Sequence, residues 1–237
     1  MRHMILLSSS YSTFERIGYH IAFDENFEAN YNLFKEKAKE IGATYQYSPY
    51  VYTADDWMDE IRTNLFYENV RMISDLDEFI SLIEKGLKIN ALNVAYYILA
   101  NQKCTHLKLQ KLVYLSYQEY LKSTGKKMFS DAIYAFPYGP VIKSVFDRFK
   151  NTSNPLECDN VINETYKRMV KFTRIAFAND GFDMLKSIDY ILEKYKDYTA
   201  SELVSLTHRP DSAWSKCYVE GQKNTIIPDD VIVKCLY

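Results

Sequence analysis

The sequence has few of the features that mark nucleotide-binding, secreted or membrane proteins. Only 7 of its 237 residues are glycine, and none lies in a phosphate-binding loop of the G-x-G-x-x-G or Walker type. The 4 cysteines are far apart and form no C-x-x-C pair, which indicates reduced thiols rather than a disulfide framework. No apolar run approaches the ~20 residues of a membrane-spanning helix, and no signal-peptide core is present. These absences predict a cytoplasmic protein without a nucleotide cofactor.

Charge and the small number of histidines restrict the chemistry further. The formal net charge is −2, with no block of basic residues, which disfavours binding to duplex DNA. The 4 histidines show no H-E-x-x-H arrangement and no metal-ligand spacing with cysteine. No serine lies in a G-x-S-x-G elbow. The acidic pairs Asp55-Asp56 and Asp59-Glu60 have the spacing to bind a divalent ion, but a solvated helix N-terminus explains them better. The sequence therefore predicts neither an enzyme nor a metal site.

Aromatic residues, by contrast, are abundant. The chain contains 21 Tyr and 13 Phe within an otherwise ordinary composition of 47% apolar and 25% charged residues. One explanation is a set of amphipathic rings that cap a core or populate an interface. The other is an AT-rich coding sequence, which the frequent Lys, Asn and Ile also indicate.

Residues 1–87 are predicted to form a small α+β region. The helices are identified by apolar positions at intervals of three and four, and the strands by alternation. Pro49 places its strand at the edge of a sheet, because proline cannot donate a ladder hydrogen bond. The expected elements are, in chain order, one or two strands within 4–23, a helix over 27–41 that Gly42 stops, an edge strand over 44–53, a helix from Thr53 or Asp55 to about Phe66, a strand over 69–73 and a helix that begins at Asp75.

Residues 88–237 are predicted to form a mainly helical domain, so that the whole chain belongs to the α+β class. Thr105 can cap a helix that Gly125 ends, and Thr199 with Glu202 makes a capping box. The pattern over 161–178 fits a helix and a strand equally well. The remaining expected elements are a helix to about Asn101, a short strand over 131–138, a helix with Pro140 in its first turn and Val141, Val145, Phe146 and Phe149 on its apolar face, a helix over 182–195 and a final element opened by Pro228.

Three motifs in this second region carry a resemblance to a known family. The first is L-x-L-Q-K-L-x-Y over Leu107–Tyr114, and the second is Y-G-P-V over Tyr138–Val141. The third lies in Thr199–Trp214, where Thr207-His208 leads to Trp214. In order and spacing, over roughly 125 residues, they resemble the Panacea (SocA-like) antitoxin domain. The resemblance covers about residues 88–237 and does not reach residues 1–87.

The first motif is predicted to mix core residues with polar residues on other faces of a helix. Leu109 belongs to the apolar stripe, and Tyr114 completes the family pattern. Lys111 is expected on or near the face in contact with water. Gln110 and Lys111 are thereby free to hydrogen-bond either a loop of the same chain or a partner.

The other two motifs have a structural interpretation beside a functional one. Gly139 permits a backbone conformation that larger residues avoid, and Pro140 is expected to fix a helix entry. Tyr138-Gly139-Pro140 is therefore either a structural corner or a contact site. His208 is expected to satisfy the carbonyl groups of a helix end rather than to act in catalysis. Trp214 is expected to pack against the capped helix.

The resemblance implies an antitoxin of a type II toxin–antitoxin system. Such proteins neutralise a toxic protein encoded beside them by direct binding, and they are often carried by prophages or other mobile elements. The helical domain would be the common scaffold, and the N-terminal region would confer specificity for the toxin. The alternatives are a phage-encoded inhibitor or protease adaptor that acts on another host protein, and an enzyme with a non-standard site. The identity of the toxin and the oligomeric state stay open.

The N-terminal region offers a candidate contact surface of its own. Tyr47, Tyr50 and Tyr52, with Tyr45, lie on the strand that Pro49 keeps at an edge. An edge strand has unpaired backbone groups that suit β-augmentation, and its tyrosine rings suit binding hot spots. Packing within the N-terminal region is an equal alternative. No helix-turn-helix or basic arm is present, so the resemblance does not imply operator binding.

Overall fold

The computed structural model of the protein describes residues 1–10, 15–43, 47–54, 56–152, 172, 174–222 and 224–235. The chain divides into two compact units. The first consists of Met1–Lys88 with Phe177–Asn179, and the second of Ile89–Ala176 with Asp180–Tyr237. A sheet dominates the first unit and helices dominate the second, which confirms the α+β class. Tyr45, Asp55 and residues 161–171 lie outside the described residues.

Four strands form the sheet of the first unit. They are β1 (Arg2–Ser10), β2 (Glu15–Ala22), β3 (Tyr47–Thr53) and β4 (Val70–Ile73), in the order β3-β1-β2-β4. Strand β1 is antiparallel to β2 and β3, and β4 is parallel to β2. The edge position predicted for the strand that contains Pro49 is confirmed.

Helices cover both faces of this sheet. Helices α1 (Phe27–Glu40) and α3 (Leu76–Leu87) pack on one face, where Leu6 meets Phe34 and Phe79 in a buried cluster. Helix α2 (Trp57–Thr63) and a 3-10 helix (Leu65–Tyr67) pack on the other, where Leu7 is buried with Tyr67. Because β1 lies inside the sheet and both of its faces are buried, its Ile5-Leu6-Leu7 run is continuously apolar.

The helix predicted from Thr53 or Asp55 to about Phe66 is wrong in both of its limits. Asp56 is the N-cap, and its carboxylate accepts a hydrogen bond of 2.8 Å from the Met58 amide. The helix stops at Thr63 because the side chain of Asn64 accepts from the Phe66 amide at 2.9 Å and starts the 3-10 helix. The two caps divide one expected helix into two short ones.

The second unit is built around one long helix. Among its described residues it contains α4 (Ala91–Asn101), α5 (His106–Thr124), β5 (Ile133–Phe136), β6 (Gly139–Ile142), α6 (Lys143–Phe149), α7 (Gly181–Lys194), α8 (Ala200–Thr207), α9 (Ala213–Cys217) and α10 (Asp229–Lys234). Helix α5 contacts α4, α6, α7, α8, α10 and β6. All residues from 109 to 118 are buried as a result. No helix in the described part of the chain is long and apolar enough to cross a bilayer.

The local signals for helix ends in this unit are confirmed. The Thr105 hydroxyl accepts from the Lys108 amide at 3.2 Å, and Gly125 ends α5 in the left-handed conformation with φ +71°. Thr199 and Glu202 form the expected capping box at the start of α8. The placement of Pro140 in a helix is wrong: it lies in β6, and α6 begins only at Lys143.

Candidate functional site

The candidate site is the tight hairpin formed by β5 and β6. Phe136 lies opposite Gly139 in the antiparallel pair, and Pro137-Tyr138 makes the turn between them. Gly139 has φ +100°, a conformation that residues with a side chain rarely adopt. A Cβ atom here would overlap Nζ of Lys111 and lie 2.9 Å from Cε1 of His208. The absence of a side chain therefore lets two other motif residues approach the turn.

Gln110 and Lys111 bind the outer edge of β6 from helix α5. The Gln110 amide donates to the Ile142 carbonyl at 3.2 Å and accepts from the Ile142 N–H at 3.1 Å, as a neighbouring strand would. Lys111 Nζ donates to the carbonyl oxygens of Tyr138 at 2.5 Å and Pro140 at 3.3 Å. Two consecutive side chains thus satisfy backbone groups that a third strand would otherwise pair.

His208 and Trp214 hold the other side of the same turn. Trp214 Nε1 donates to the Phe136 carbonyl at 2.7 Å. Nε2 of His208 lies 3.2 Å from the Pro137 carbonyl oxygen, and its Nδ1 lies 2.7 Å from the Val204 carbonyl oxygen at the end of α8. The two rings are in contact, with centroids 3.9 Å apart. The predicted role of His208 at a helix end is confirmed, and it extends to the hairpin.

The three sequence motifs therefore form one structural unit. Side chains from the first and third motifs bind five backbone carbonyl groups in and around the second. The carbonyl groups are those of Phe136, Pro137, Tyr138, Pro140 and Ile142. On its other side, β5 is held by the 224–227 segment, since Ala135 N–H donates to the Thr225 carbonyl at 2.8 Å. The backbone of the turn is fixed from both sides.

Lys111 is the most unusual residue of this unit, because its side chain is fully buried (0% exposed). Burial lowers the pKa of Lys111 to about 7, since transfer from water penalises the ammonium form. The two carbonyl groups oppose this effect, because they stabilise a positive charge on Nζ. The prediction that Lys111 lies near water is wrong. Of the two alternatives for Gln110 and Lys111, a loop of the same chain or a partner, the structure shows the first, since both side chains bind backbone groups of the hairpin.

Tyr138 is the part of the hairpin that faces solvent. Its side chain is 73% exposed, although its carbonyl oxygen is bound by Lys111. Leu109 and Tyr114 of the first motif are fully buried in the core around α5. Among the residues of the first two motifs that the sequence proposed for partner contact, Tyr138 alone combines high exposure with a fixed backbone.

The predicted tyrosines of β3 separate into different environments. Tyr47 packs edge-on against Phe34, with ring centroids 4.6 Å apart, in the cluster under α1 and α3. Tyr52 packs on the opposite face of the sheet, with its ring stacked on His3 at 5.8 Å. Tyr50 remains partly exposed, and its ring lies 4.8 Å from Phe66. Packing within the region therefore accounts for two of the three.

A comparison with protein-family models decides the class of the helical unit. Residues 109–215 match the family model described as antitoxin SocA-like, Panacea domain. Residues 109–215 are thus similar to a Panacea domain. The match begins in α5, includes the hairpin and ends one residue after Trp214, so it contains all four side chains that bind the turn. This confirms the resemblance predicted from the three motifs. No curated protein and no solved structure matches the chain.

Sequence reasoning missed the exposed apolar residues Leu65 and Phe66 of the first unit. They were expected at the end of one helix, whereas they lie in the 3-10 helix that Asn64 caps. The signal that could have revealed them is the asparagine itself, a strong N-cap residue directly before two apolar residues.

The buried amine of Lys111 predicts that the stability of the folded chain depends on pH. As the pH falls from 10.5, the ordinary lysine pKa, to about 7, the unfolded chain binds a proton that the folded state does not. The folded state therefore loses stability over this window. Relative to Lys111→Met, the wild type should gain at most about 1.4 kcal/mol of stability per pH unit as the pH rises through this window. Urea unfolding at several pH values measures the difference.

The matched control for this measurement is Lys122→Met, which removes an exposed lysine from the last turn of the same helix. Its stability should follow the wild type at every pH in the window. Parallel profiles for Lys111→Met and the wild type would instead show that the buried amine titrates like a lysine in water.

Proposed function

We propose that this protein is an antitoxin that neutralises a cognate protein toxin by direct binding, and that the Panacea domain supplies the common scaffold for this activity. The match of residues 109–215 to an antitoxin-like domain supports the general role. The single observation that supports direct binding is the hairpin tip, where an exposed tyrosine stands on a backbone held by the side chains of Lys111, His208 and Trp214.

A fixed aromatic tip is well suited to protein recognition. Tyrosine is enriched among the residues that dominate binding energy, because its ring buries a large area and its hydroxyl can hydrogen-bond. Ordering a mobile loop on binding would reduce the affinity. Because side chains of the same unit already bind the carbonyl groups of Tyr138 and its neighbours, the turn is ordered before it meets a partner. Most of this ordering cost is therefore absent.

The proposal gives the two regions of the chain different roles in binding the toxin. Residues 1–87, the predicted specificity region, would select the toxin, and residues 88–237 would contribute the tip. The first unit supports this assignment with exposed apolar residues of its own, among them Leu65 and Phe66. The toxin would be the product of a neighbouring gene, as in other type II systems, and the pair would act in the cytoplasm, encoded on a prophage or another mobile element.

Co-expression tests direct binding. We expect the protein to rescue cells from the growth arrest caused by the neighbouring gene product, and the two proteins to co-purify. Tyr138→Ala should weaken the complex by about 30-fold in Kd without changing the melting temperature, because the ring contacts solvent in the free protein. Calorimetry measures both quantities.

Tyr190→Ala is the control, since it removes another exposed tyrosine, from α7 of the same unit. This variant should bind as tightly as the wild type. If rescue persists while pull-down and calorimetry at micromolar concentration detect no complex, neutralisation by contact is wrong.

A further inference from the structure

The first unit exposes a compact apolar patch beside the edge of its sheet. Leu65 is 84% exposed, Phe66 41% and Tyr50 39%. The rings of Tyr50 and Phe66 are 4.8 Å apart, so that strand β3 and the 3-10 helix contribute to one surface. Single exposed apolar residues are ordinary, but a contiguous group of this kind is typical of an interaction site.

This patch has a defined shape because its backbone is bonded to the sheet. The guanidinium of Arg16 lies over the Phe66 ring, 4.9 Å from its centroid, and Arg16 Nη1 donates to the Phe66 carbonyl at 2.5 Å. The Asn64 side chain fixes the start of the 3-10 helix. The apolar side chains are therefore presented by an ordered frame, as a binding surface requires.

The edge of β3 next to the patch has backbone groups that point away from the sheet. The Phe23 N–H donates to the Arg2 carbonyl, so the backbone groups of the even-numbered residues of β1 bond to β2 and those of the odd-numbered residues bond to β3. In the register of β1 with β3, the backbone groups of Tyr50 and Tyr52 therefore bond to β1. The backbone groups of Val51 and Thr53 point away from the sheet. Pro49 has no N–H, which limits pairing with another strand to this C-terminal half.

Acidic residues outnumber basic ones beside the apolar patch. Residues 56–68 contain 4 acidic side chains and 1 basic one, and Asp59 pairs with that one, Arg62, at 3.8 Å. With the guanidinium of Arg16 on the Phe66 ring, the net charge is −2. Glu60 lies beside the patch, because its carboxylate accepts from Nδ2 of Asn64, the cap of the 3-10 helix, at 2.7 Å. Burial and then the Glu60 carboxylate raise the pKa of the neighbouring Tyr67. The asymmetry extends to the whole chain: residues 1–88 carry 15 acidic and 9 basic residues, and residues 89–237 carry 16 and 20. Residues 1–88 thus have a net charge of −6, and residues 89–237 have a net charge of +4.

We propose that the surface formed by Tyr50, Leu65 and Phe66, with its rim at Asp59 and Glu60, docks a cationic surface of the cognate toxin. The inference rests on the proposed antitoxin function and adds the chemical class of the partner. An apolar centre with a charged rim is the anatomy of a specific interface, and charge complementarity selects a basic partner. Such a basic surface is typical of proteins that bind nucleic acid. A symmetric contact between two copies of this surface is disfavoured, because the two acidic rims would repel each other.

The test of the acidic rim uses the neighbouring gene product as the probe. The triple variant Asp59→Asn/Glu60→Gln/Glu68→Gln should lower the association rate constant about tenfold at about 0.05 M salt, because steering by charge is lost. At about 0.5 M salt the difference should fall below about twofold, because the ions screen the field. The matched control is Glu28→Gln/Glu36→Gln/Glu40→Gln. It removes the same charge from α1 on the opposite face of the sheet and should leave the rate within about twofold of the wild type at both salt concentrations.

The test of the apolar centre is Leu65→Asn, with Leu33→Asn on α1 as the control, because both leucines are exposed in the free protein. Loss of the central leucine should raise the dissociation rate of the complex about tenfold, while the control keeps the wild-type rate. Circular dichroism should show unchanged folding for both variants, since neither side chain is part of a buried cluster.

The possible results separate this inference from the function on which it rests. If the wild type binds the toxin and neither the rim variant nor Leu65→Asn changes a rate, the docking surface is wrong and the antitoxin role stands. If the wild type forms no complex, both are wrong. If sedimentation shows that Leu65→Asn abolishes self-association of the free protein, the surface binds a second copy and the cationic partner is wrong.

Discussion

A Gly139→Val variant should melt about 10 °C below the wild type in the Panacea domain. The positive φ of 100° disfavours a β-branched residue, which by itself removes about 1–3 kcal/mol of stability. The new side chain would also overlap Nζ of Lys111 and crowd Cε1 of His208 at 2.9 Å. Because Lys111 is fully buried and cannot move into solvent, the total loss should reach about 3 kcal/mol or more.

The control for this prediction is Gly125→Val at the end of α5. Gly125 also has a positive φ, of 71°, but a Cβ atom built there meets no atom within 4 Å. Gly125→Val should therefore lose only the stability that the positive φ costs a residue with a side chain, about 1–2 kcal/mol. Equal melting temperatures for the two variants would show that close packing around the hairpin contributes nothing. An unchanged melting temperature for Gly139→Val would refute the strained turn altogether.

The elements predicted most accurately from the sequence are those fixed by neighbouring residues. Thr105, Gly125 and the Thr199-Glu202 box lie where their local chemistry placed them, because a helix cap needs only the three or four residues around it. Asp75 likewise caps α3, where its carboxylate accepts from the Glu78 amide at 2.7 Å. Each of these signals is complete within one turn of helix.

Pro140 shows why a local signal can mislead. A proline before an apolar pattern is typical of the first turn of a helix, and the prediction followed that pattern. In the folded chain, Pro140 pairs opposite Ala135 in β6. The backbone of Pro140 faces away from β5, as its carbonyl bond to Lys111 shows. An N–H at this position would not bond to β5, so the hairpin loses no hydrogen bond by having proline here. The lysine that makes this arrangement favourable lies far away in the sequence.

Gln110 and Lys111 could not be placed correctly from the helical pattern of α5. That pattern assumes one face in water, whereas α5 is surrounded by other elements and all its residues from 109 to 118 are buried. Their partners are backbone groups of Tyr138, Pro140 and Ile142, which have no signature in a sequence. The co-occurrence of the three motifs was visible, but its physical reason required the hairpin.

A chain that begins at about residue 88 should fold on its own and fail to neutralise the toxin. The second unit has its own core around α5, and all four side chains that hold the hairpin lie within it. The truncated protein should therefore keep the helical circular dichroism spectrum of this unit and a cooperative melting transition. It lacks the acidic surface with Leu65 and Phe66, so the tip at Tyr138 would be left as a single contact. Toxin rescue should be lost.

Grafting a different N-terminal region onto residues 88–237 should redirect the protein to the toxin of the donor, because the graft replaces the specificity surface and keeps the tip. Tyr138→Ala in the grafted protein should then weaken binding to the new toxin as it does to the original one. Full rescue by the truncated chain would place recognition on the Panacea domain alone. Tyr138 would then be the first residue to mutate, because Gln110 and Lys111 are buried and act only by holding its backbone.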